Sequence, residues 1–354
     1  MKKIAVIKGD GIGGEVIDAG LRAIEAACGR SGAALAFEEL DVNADRFLRE
    51  GKTITEGELA RFRSEFDAIY FGGVGDPRVK DNFYLRDVLL KLRFSLDLYI
   101  NFRPFKLYRE SLCPLKDVKA GEIDFVIFRE NTEGPYVGAG GFFKKGTPDE
   151  VAIQESVNTR KGVERIIRAA FGYAKKAGRK TVALADKCNA LNYAHDLWHR
   201  VFYDVGEEFP EIAKDHLLAD VCAMEMVRNP RRFQVIVTDN MFGDILSDLA
   251  SQVVGGLGIA PSGNINPGHV SLFEPVHGSA PDIAGKGVAN PIAAILTASL
   301  MLDHLGMAVE ASIVESAVRE ALTSGNVTRD IGGSLTTVQC ADFIVKIIAK
   351  SREG

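Results

Sequence analysis

The sequence predicts an α/β protein built on a largely parallel sheet, on three observations. Short β-branched runs alternate with longer amphipathic ones along much of the 354-residue chain. Each such run ends at a polar cluster, and open α/β sheets bind their ligands beyond the carboxyl ends of their strands. The composition, 46% hydrophobic and 26% charged, is that of a globular chain long enough for two domains or one large α/β unit.

The elements follow in order. IAVI (4–7) reads as a strand, the stretch from 15 to 28 as a helix, ALAFEEL (34–40) as a strand, 56–64 as a helix and DAIYFGG (67–73) as a strand. A second set comprises IDFVIF (123–128), a helix over 160–177, TVALAD (181–186), a helix over 190–205 and QVIVTDN (234–240). FGGVGDP, RENTEG, ADKCN and TDNMFGD, at the strand ends, are candidate site segments. The Gly-rich excursion between Tyr136 and Ser156 is too long for a plain loop and reads as a strand pair that meets a second subunit. The last third is mainly helical, near 290–305, 309–324 and 337–350. The segment 271–291 is too rich in Gly and Pro for helix or strand.

Charge and cysteine usage exclude several function classes. A net charge of −5 with no basic stripe argues against a nucleic-acid surface. Five widely spaced cysteines with no CxxC fit reduced thiols in a cytosol, so disulfides are not expected. MKKIAVIKGDG is too polar for a signal sequence, and no apolar run approaches the roughly 18 residues of a membrane span.

Asp244 and Asp248, in MFGDILSDLAS, lie one helical turn apart. Phe242, Ile245, Leu246, Leu249 and Val253 make an apolar stripe if 241–255 is helical, with both aspartates on the other side. Like charges at this spacing repel by roughly 0.2–0.5 kcal/mol, a cost that a divalent cation would reverse. A cation site and a solvated acidic face both remain open. Gly9, Gly11 and Gly14 spell GxGxxG after a strand, either a dinucleotide fingerprint or a tight turn near a ligand; Glu38, Glu39 and Asp41 lie late for the fingerprint's acidic residue. His195 and His199 have the spacing of a zinc helix without its glutamate, and read as two surface or interface histidines.

Arg93, Arg103 and Arg129 each sit in or at the end of an apolar run, where a guanidinium holds either a carboxylate ligand or a structural ion pair. For Arg129, Glu130 and Glu133 are the nearest candidates for such a pair. Lys187 and Asp220 read equally as surface residues. In the loop 271–291, Gly278, Ser279 and Ala280 allow close backbone approach, and His277, Asp282 and Asn290 offer side-chain contacts. A carboxylate such as Asp282 suits a ribose diol and repels a 2′-phosphate.

GDGIG (9–13), LRFSLDLYINFRP (92–104), RENTEGPYVGAGG (129–141), ADKCN (185–189), TDNMFGDILSDLAS (238–251) and FEPVHGSAPDIAGKGVANP (273–291) together resemble the β-decarboxylating dehydrogenases over nearly the whole chain. That family acts on isocitrate, 3-isopropylmalate, homoisocitrate, tartrate or D-malate. The resemblance implies an isocitrate/isopropylmalate dehydrogenase-like fold, not a Rossmann fold, with two α/β domains sharing a continuous mixed sheet. Residues 1–98 plus 256–354 would bind NAD, and 99–255 would carry substrate, metal and dimer contacts, with an arm near 136–156.

Position by position, the resemblance assigns Arg93, Arg103 and Arg129 to the substrate carboxylates and Tyr136 and Lys187 to acid–base work. It assigns Asp220, Asp244 and Asp248 to Mg²⁺ or Mn²⁺, with Lys187 and Asp220 supplied by the neighbouring subunit of a cytoplasmic homodimer, Asp220 there also facing the substrate. It makes His277, Gly278, Ser279, Ala280, Asp282, Ile283 and Asn290 the NAD site, with Asp282 and Ile283 where NADP-dependent isocitrate enzymes carry lysine and tyrosine.

Leu89 and Leu90 stand where that family places the substrate's side-chain pocket, and the resemblance then implies an apolar γ-substituent, that of 3-isopropylmalate, which the leucine pathway converts to 4-methyl-2-oxopentanoate. The chain departs from that branch at Arg86, Ala190 and Gly14, and Arg86 would suit the third carboxylate of homoisocitrate. The aromatic-rich segment of tartrate and D-malate enzymes is replaced by NFYLRDV. A non-catalytic regulatory subunit of an NAD-isocitrate dehydrogenase would lack the lysine, tyrosine and aspartates that this chain has.

Overall fold

The computed structural model describes residues 1–80, 84 and 86–350. Among these residues the strands are β1 (Lys2–Ile7), β2 (Leu35–Glu39), β3 (Ala68–Phe71), β4 (Ile100–Lys106), β5 (Asp124–Glu130), β6 (Gly140–Phe143), β7 (Val151–Gln154), β8 (Thr181–Asp186), β9 (Ala213–Leu218), β10 (Val235–Thr238), β11 (Pro261–Ile265) and β12 (Ser271–Pro275). The α-helices are α1 (Gly13–Ser31), α2 (Ala44–Glu50), α3 (Glu56–Glu65), α4 (Lys91–Ser95), α5 (Arg160–Lys176), α6 (Ala194–Gly206), α7 (Ala219–Arg228), α8 (Asn240–Val254), α9 (Ile292–His304), α10 (Ala308–Ser324) and α11 (Thr337–Lys350).

The large sheet has the order β2-β1-β3-β12-β11-β4-β5-β10-β8-β9 and is mixed: β11 and β12 pair antiparallel, whereas β1 pairs parallel with β2 and β3, and β8 with β9 and β10. Two compact units divide the chain, Met1–Leu98 with Pro104–Glu122 and Ser251–Gly354, and Tyr99–Arg103 with Ile123–Ala250.

In the first unit β1 and β3 are buried on both faces, which is why they read as continuous apolar runs, whereas the edge strand β2 is only half-buried. Ile4, Val6, Ala68, Tyr70 and Phe273 point into a core formed with α1, α9, α10 and α11. Their neighbours Ala5, Ile7, Ile69, Phe71 and Leu272 point the other way, against α3 and the segment leading to Leu98. This is the period-2 alternation of a strand carried through two packed layers. Short helices begin at capped positions: the Asn43 side chain accepts from Arg46 N, and Thr55 and Glu58 form a reciprocal capping box.

In the second unit α5 presents Val163, Ile166, Ile167, Ala170, Phe171 and Ala174 as its buried stripe. Helix α6 contributes Trp198, Val201 and Phe202, and Phe171 lies 5.4 Å from the Phe202 ring. The excursion after Tyr136 is the hairpin β6–β7, in register Gly140↔Gln154 to Phe143↔Val151. Its large apolar side chains stay in solvent, Phe142 at 62% and Phe143 at 65% exposed, so the hairpin buries nothing of its own.

Several expectations change. The segment 271–291 is not wholly loop, because Ser271–Pro275 is a fully buried strand between β3 and β11. Helix 190–205 starts later, at Ala194, since residues from 187 to 191 form a turn closed by Lys187 O. The apolar stripe of α8 is not the one the wheel suggests: Ile245 is 62% exposed, and the buried face carries Gly243, Leu246, Ser247, Ala250 and Val253. His195 is no surface residue but 1% exposed.

Candidate active site

The GDGIG turn after β1 needs glycine twice. Gly9 and Gly11 have φ of +68° and +58°, a left-handed conformation, and a Cβ on Gly11 would stand 1.9 Å from Ser279 O. Ile12 N donates to that same carbonyl at 2.8 Å. The GxGxxG spacing therefore marks a tight turn that supports the 277–283 loop from below. Asp10, inside the turn, accepts hydrogen bonds from Ala44 N, Gly75 N and the Tyr84 hydroxyl, a bracing role the sequence reading missed.

The supported loop has the features of a dinucleotide cradle. Gly278 has no atom within 4 Å of where a Cβ would stand, His277 has a buried Nε2 with no hydrogen-bond partner, and Asp282 is exposed. Burial holds the His277 imidazole below its ordinary pKa, so it presents a neutral ring. Ser279 is buried, Ala280 takes φ +40°, and Ala280 and Ile283 pack against a small core of Ile12, Val16, Ala289 and Ala294. Asn290 is oriented by Ile292 N and Asp330. These residues fit a dinucleotide bound through backbone groups, an imidazole and a carboxylate.

In the same unit Arg93 is buried and donates through Nη2 to Glu274 Oε1 at 3.1 Å, while its Nε has no partner. Asn264 donates to the same Glu274 oxygen at 2.8 Å. Leu89 and Leu90 are half-buried on the turn before α4, Leu89 against the second core layer, and Arg86 is exposed. The NFYLRDV segment falls partly outside the described residues, at 81–83 and 85.

The second unit concentrates charge in the middle of β4, near the end of β5 and at the start of α8. Arg129, 2% exposed, is fixed by Asn240, whose backbone and side-chain oxygens accept from Nε at 2.9 and 3.1 Å and whose Oδ1 accepts from Nη2 at 2.8 Å. Its Nη1 donates to Asp244 Oδ1 at 2.6 Å. Gly243 makes room for this arginine, since a Cβ there would lie 2.5 Å from Arg129 Cγ. Arg103 donates to Ser247 Oγ and lies 3.7 Å from both Asp244 and Asp248. The Tyr136 hydroxyl is 3.4 Å from Asp244 Oδ2.

Five expected residues are thus brought together, Arg103, Arg129, Tyr136, Asp244 and Asp248. Burial, and then the Asp244 carboxylate, raise the Asp248 pKa against the pull of Arg103 and Arg129. Burial and Asp244 likewise raise Tyr136, keeping its proton in place. Two hard carboxylates at helical spacing fit a divalent cation.

Glu130 and Glu133 do not pair with Arg129. Glu130 accepts from Thr132 N, Thr132 Oγ1 and Glu133 N, and Glu133 accepts from Thr159. Burial pushes the Glu130 carboxyl up to about 7 despite those donors. From about 4.5 to 7 the folded chain then holds a proton that the unfolded chain releases, so this group's contribution to stability falls as pH rises through that window. Native protein should lose up to about 2–3 kcal/mol between pH 5 and 8 that Glu130→Gln does not lose, in urea unfolding at both pH values. Parallel pH profiles for the two proteins would contradict this.

Lys187 and Asp220 are paired with each other, Nζ to Oδ1 at 2.5 Å, and the pair holds Asp220 below the usual carboxylate range. Among the described residues the carboxylates of Asp220, Asp244 and Asp248 do not converge on one point. The turn bearing Lys187 is set by His195, whose Nδ1 accepts from Lys187 N at 3.0 Å and whose Nε2 lies 3.2 Å from Asp239. Asp239 also accepts from Phe242 N at the start of α8. His195 and Asp239 thus tie the lysine turn to the aspartate helix, a link invisible in sequence because the partners lie 44 positions apart.

Residues 3–347 match the isocitrate/isopropylmalate dehydrogenase family. The chain belongs to that family. It is 47% identical to a 3-isopropylmalate dehydrogenase of Thermobifida fusca and 48% identical to one of Streptomyces griseus, in each case over 98% of both chains. Among solved structures, an isocitrate dehydrogenase from Methylococcus capsulatus superposes with a TM-score of 0.90 at 38% identity, covering 99% of this chain and 100% of that one. The chain is accordingly a dehydrogenase with this family's fold, and no helix among its described residues is long and apolar enough to cross a membrane.

Proposed function

We propose that the chain is an NAD-dependent enzyme of leucine biosynthesis that uses Mg²⁺ or Mn²⁺ to convert 3-isopropylmalate to 4-methyl-2-oxopentanoate and CO₂. The observation that carries this reading is the cluster of Asp244 and Asp248 framed by Arg103 and Arg129 beside the Tyr136 hydroxyl. A malate backbone needs those groups: guanidinium for its carboxylates, oxygen ligands for a cation that its hydroxyl and carboxylate chelate, and a phenol to return a proton.

The roles follow from charge. Arg93, Arg103 and Arg129 hold the carboxylates so that the reacting bonds are aligned. Asp244 and Asp248 present their oxygens to the cation, with Asp220 of a second subunit completing the set and facing the substrate. Lys187 Nζ, paired with Asp220 within the chain, would take the hydroxyl proton as the neutral amine, with Asp220 then free to serve as a cation ligand. When bound, the cation serves as the Lewis acid for hydroxyl and enolate, and the dinucleotide accepts the hydride. Loss of CO₂ from the β-keto acid leaves an enolate carbon that Tyr136 Oη protonates.

His277, Gly278, Ser279, Ala280, Asp282, Ile283 and Asn290 take the dinucleotide, and the exposed Asp282 carboxylate favours NAD over its 2′-phosphorylated form. Apolar surface supports a homodimer: Met224 and Val227 on α7, Ile245 on α8, and the β6–β7 hairpin leave large side chains in solvent. Five free thiols accord with a reducing cytoplasm.

The relatives' names and the Leu89–Leu90 pair favour an isopropyl over a carboxymethyl substituent. In parallel NADH-formation assays, kcat/KM should be highest for 3-isopropylmalate and lower for isocitrate, homoisocitrate, D-malate and tartrate. Faster turnover of any of the other four acids would refute the substrate assignment.

A further inference from the structure

Beside the lysine turn, and distinct from the aspartate pair of α8, three side chains of different chemistry converge. Asp186 ends β8, Cys188 follows on the turn, and His216 lies on β9, which pairs with β8 in the register Leu184↔His216 and Asp186↔Leu218. That register puts His216 and Asp186 diagonally on one face of the sheet. His216 Nε2 is 3.0 Å from Asp186 Oδ1 and 3.9 Å from Cys188 Sγ, and one ligand atom from each of the three residues lies within 4.8 Å of the others. Asp186 is 0% exposed and its Oδ2 has no hydrogen-bond partner, an expensive arrangement for a buried carboxylate.

We propose that Asp186, Cys188 and His216 form a binding site for a borderline-soft divalent cation of the zinc class, separate from the Mg²⁺ or Mn²⁺ of the reaction. Thiolate, imidazole and carboxylate are the zinc donors, and metal–ligand bonds of about 2.0–2.3 Å in a tetrahedron set donor atoms roughly 3.3–3.8 Å apart. The two separations from His216 Nε2 need shifts of only a few tenths of an ångström, and the Asp186–Cys188 separation, within 4.8 Å, closes by at most about 1 Å as the metal draws the ligands in. Binding displaces the thiol proton to solvent, takes His216 as its neutral imidazole through Nε2 with the ring proton on Nδ1, and leaves a fourth position for water. Lys187 lies between two of the ligands, so occupancy clamps the turn that carries it.

The test adds Co²⁺, a spectroscopic substitute for Zn²⁺, to the full-length protein in excess Mg²⁺. Native protein should develop a thiolate-to-cobalt charge-transfer absorption that saturates at one equivalent per chain and is bleached by Zn²⁺. Cys188→Ser should abolish that absorption, and His216→Gln should weaken Co²⁺ binding on the order of tenfold or more. Asp248→Asn should leave it intact, separating this site from the proposed reaction site. Circular dichroism checks that the variants are folded. An absorption that survives in folded Cys188→Ser, or its absence from native protein, would overturn the proposal.

Discussion

Lys187→Ala should lower kcat by about 10²–10⁴-fold, the usual worth of a positioned general base, while leaving the fold intact. Stability should barely change, because the ion pair with Asp220 joins side chains that are 26% and 60% exposed, and pairs in such settings contribute little. The turn itself is held through the backbone N–H of Lys187 to His195, which the substitution keeps. A folded Lys187→Ala protein with native kcat would remove the lysine from the chemistry, and reduced kcat with a collapsed melting transition would make its role structural.

Mixed dimers should recover activity that neither parent has. Within one chain Lys187 pairs with Asp220, whereas Asp244 and Asp248 gather around Arg103 and Arg129, and the three aspartates do not converge. If each active site takes Lys187 and Asp220 from one subunit and Asp244 and Asp248 from the other, a dimer of one Lys187→Ala chain and one Asp248→Asn chain holds one intact site and one doubly damaged site. Such dimers, co-expressed with two different tags and purified through both, should show about half of native kcat per dimer, and each parent homodimer almost none. No recovery in verified mixed dimers would mean that each chain carries its own complete site.

The sequence made the strands of the first unit legible because both of their faces are buried, so that Ile4 to Ile7 and Ala68 to Phe71 are unbroken apolar runs. It was less informative where local composition opposes the final state. Strand β4 contains Arg103 and Pro104, β9 is a half-buried AKDHLL, and β12 runs straight into the Gly- and Pro-rich loop that hid it. The helical wheel of α8 gave the aspartates a face but misassigned the apolar one. That helix has apolar residues on two sides, and only packing shows that Gly243, Leu246 and Ala250 face inward while Ile245 does not.

For the site, residue type and spacing singled out Arg103, Arg129, Asp244 and Asp248 as candidates but left a structural ion pair or a solvated acidic face equally open, and it was the resemblance that assigned their roles. Asn240, Ser247 and Asp239, which orient them, could not be read this way, since short polar residues next to a strand end are too common to single out. The His195–Asp239 pair needed the fold itself.

The most direct test of the central claim is the ratio of CO₂ released to NADH formed with 3-isopropylmalate as sole substrate. Oxidation coupled to decarboxylation predicts a ratio of one to one, with both products abolished together by chelating the divalent cation. NADH without CO₂, or product formation that persists under chelation, would contradict the account built on Asp244 and Asp248.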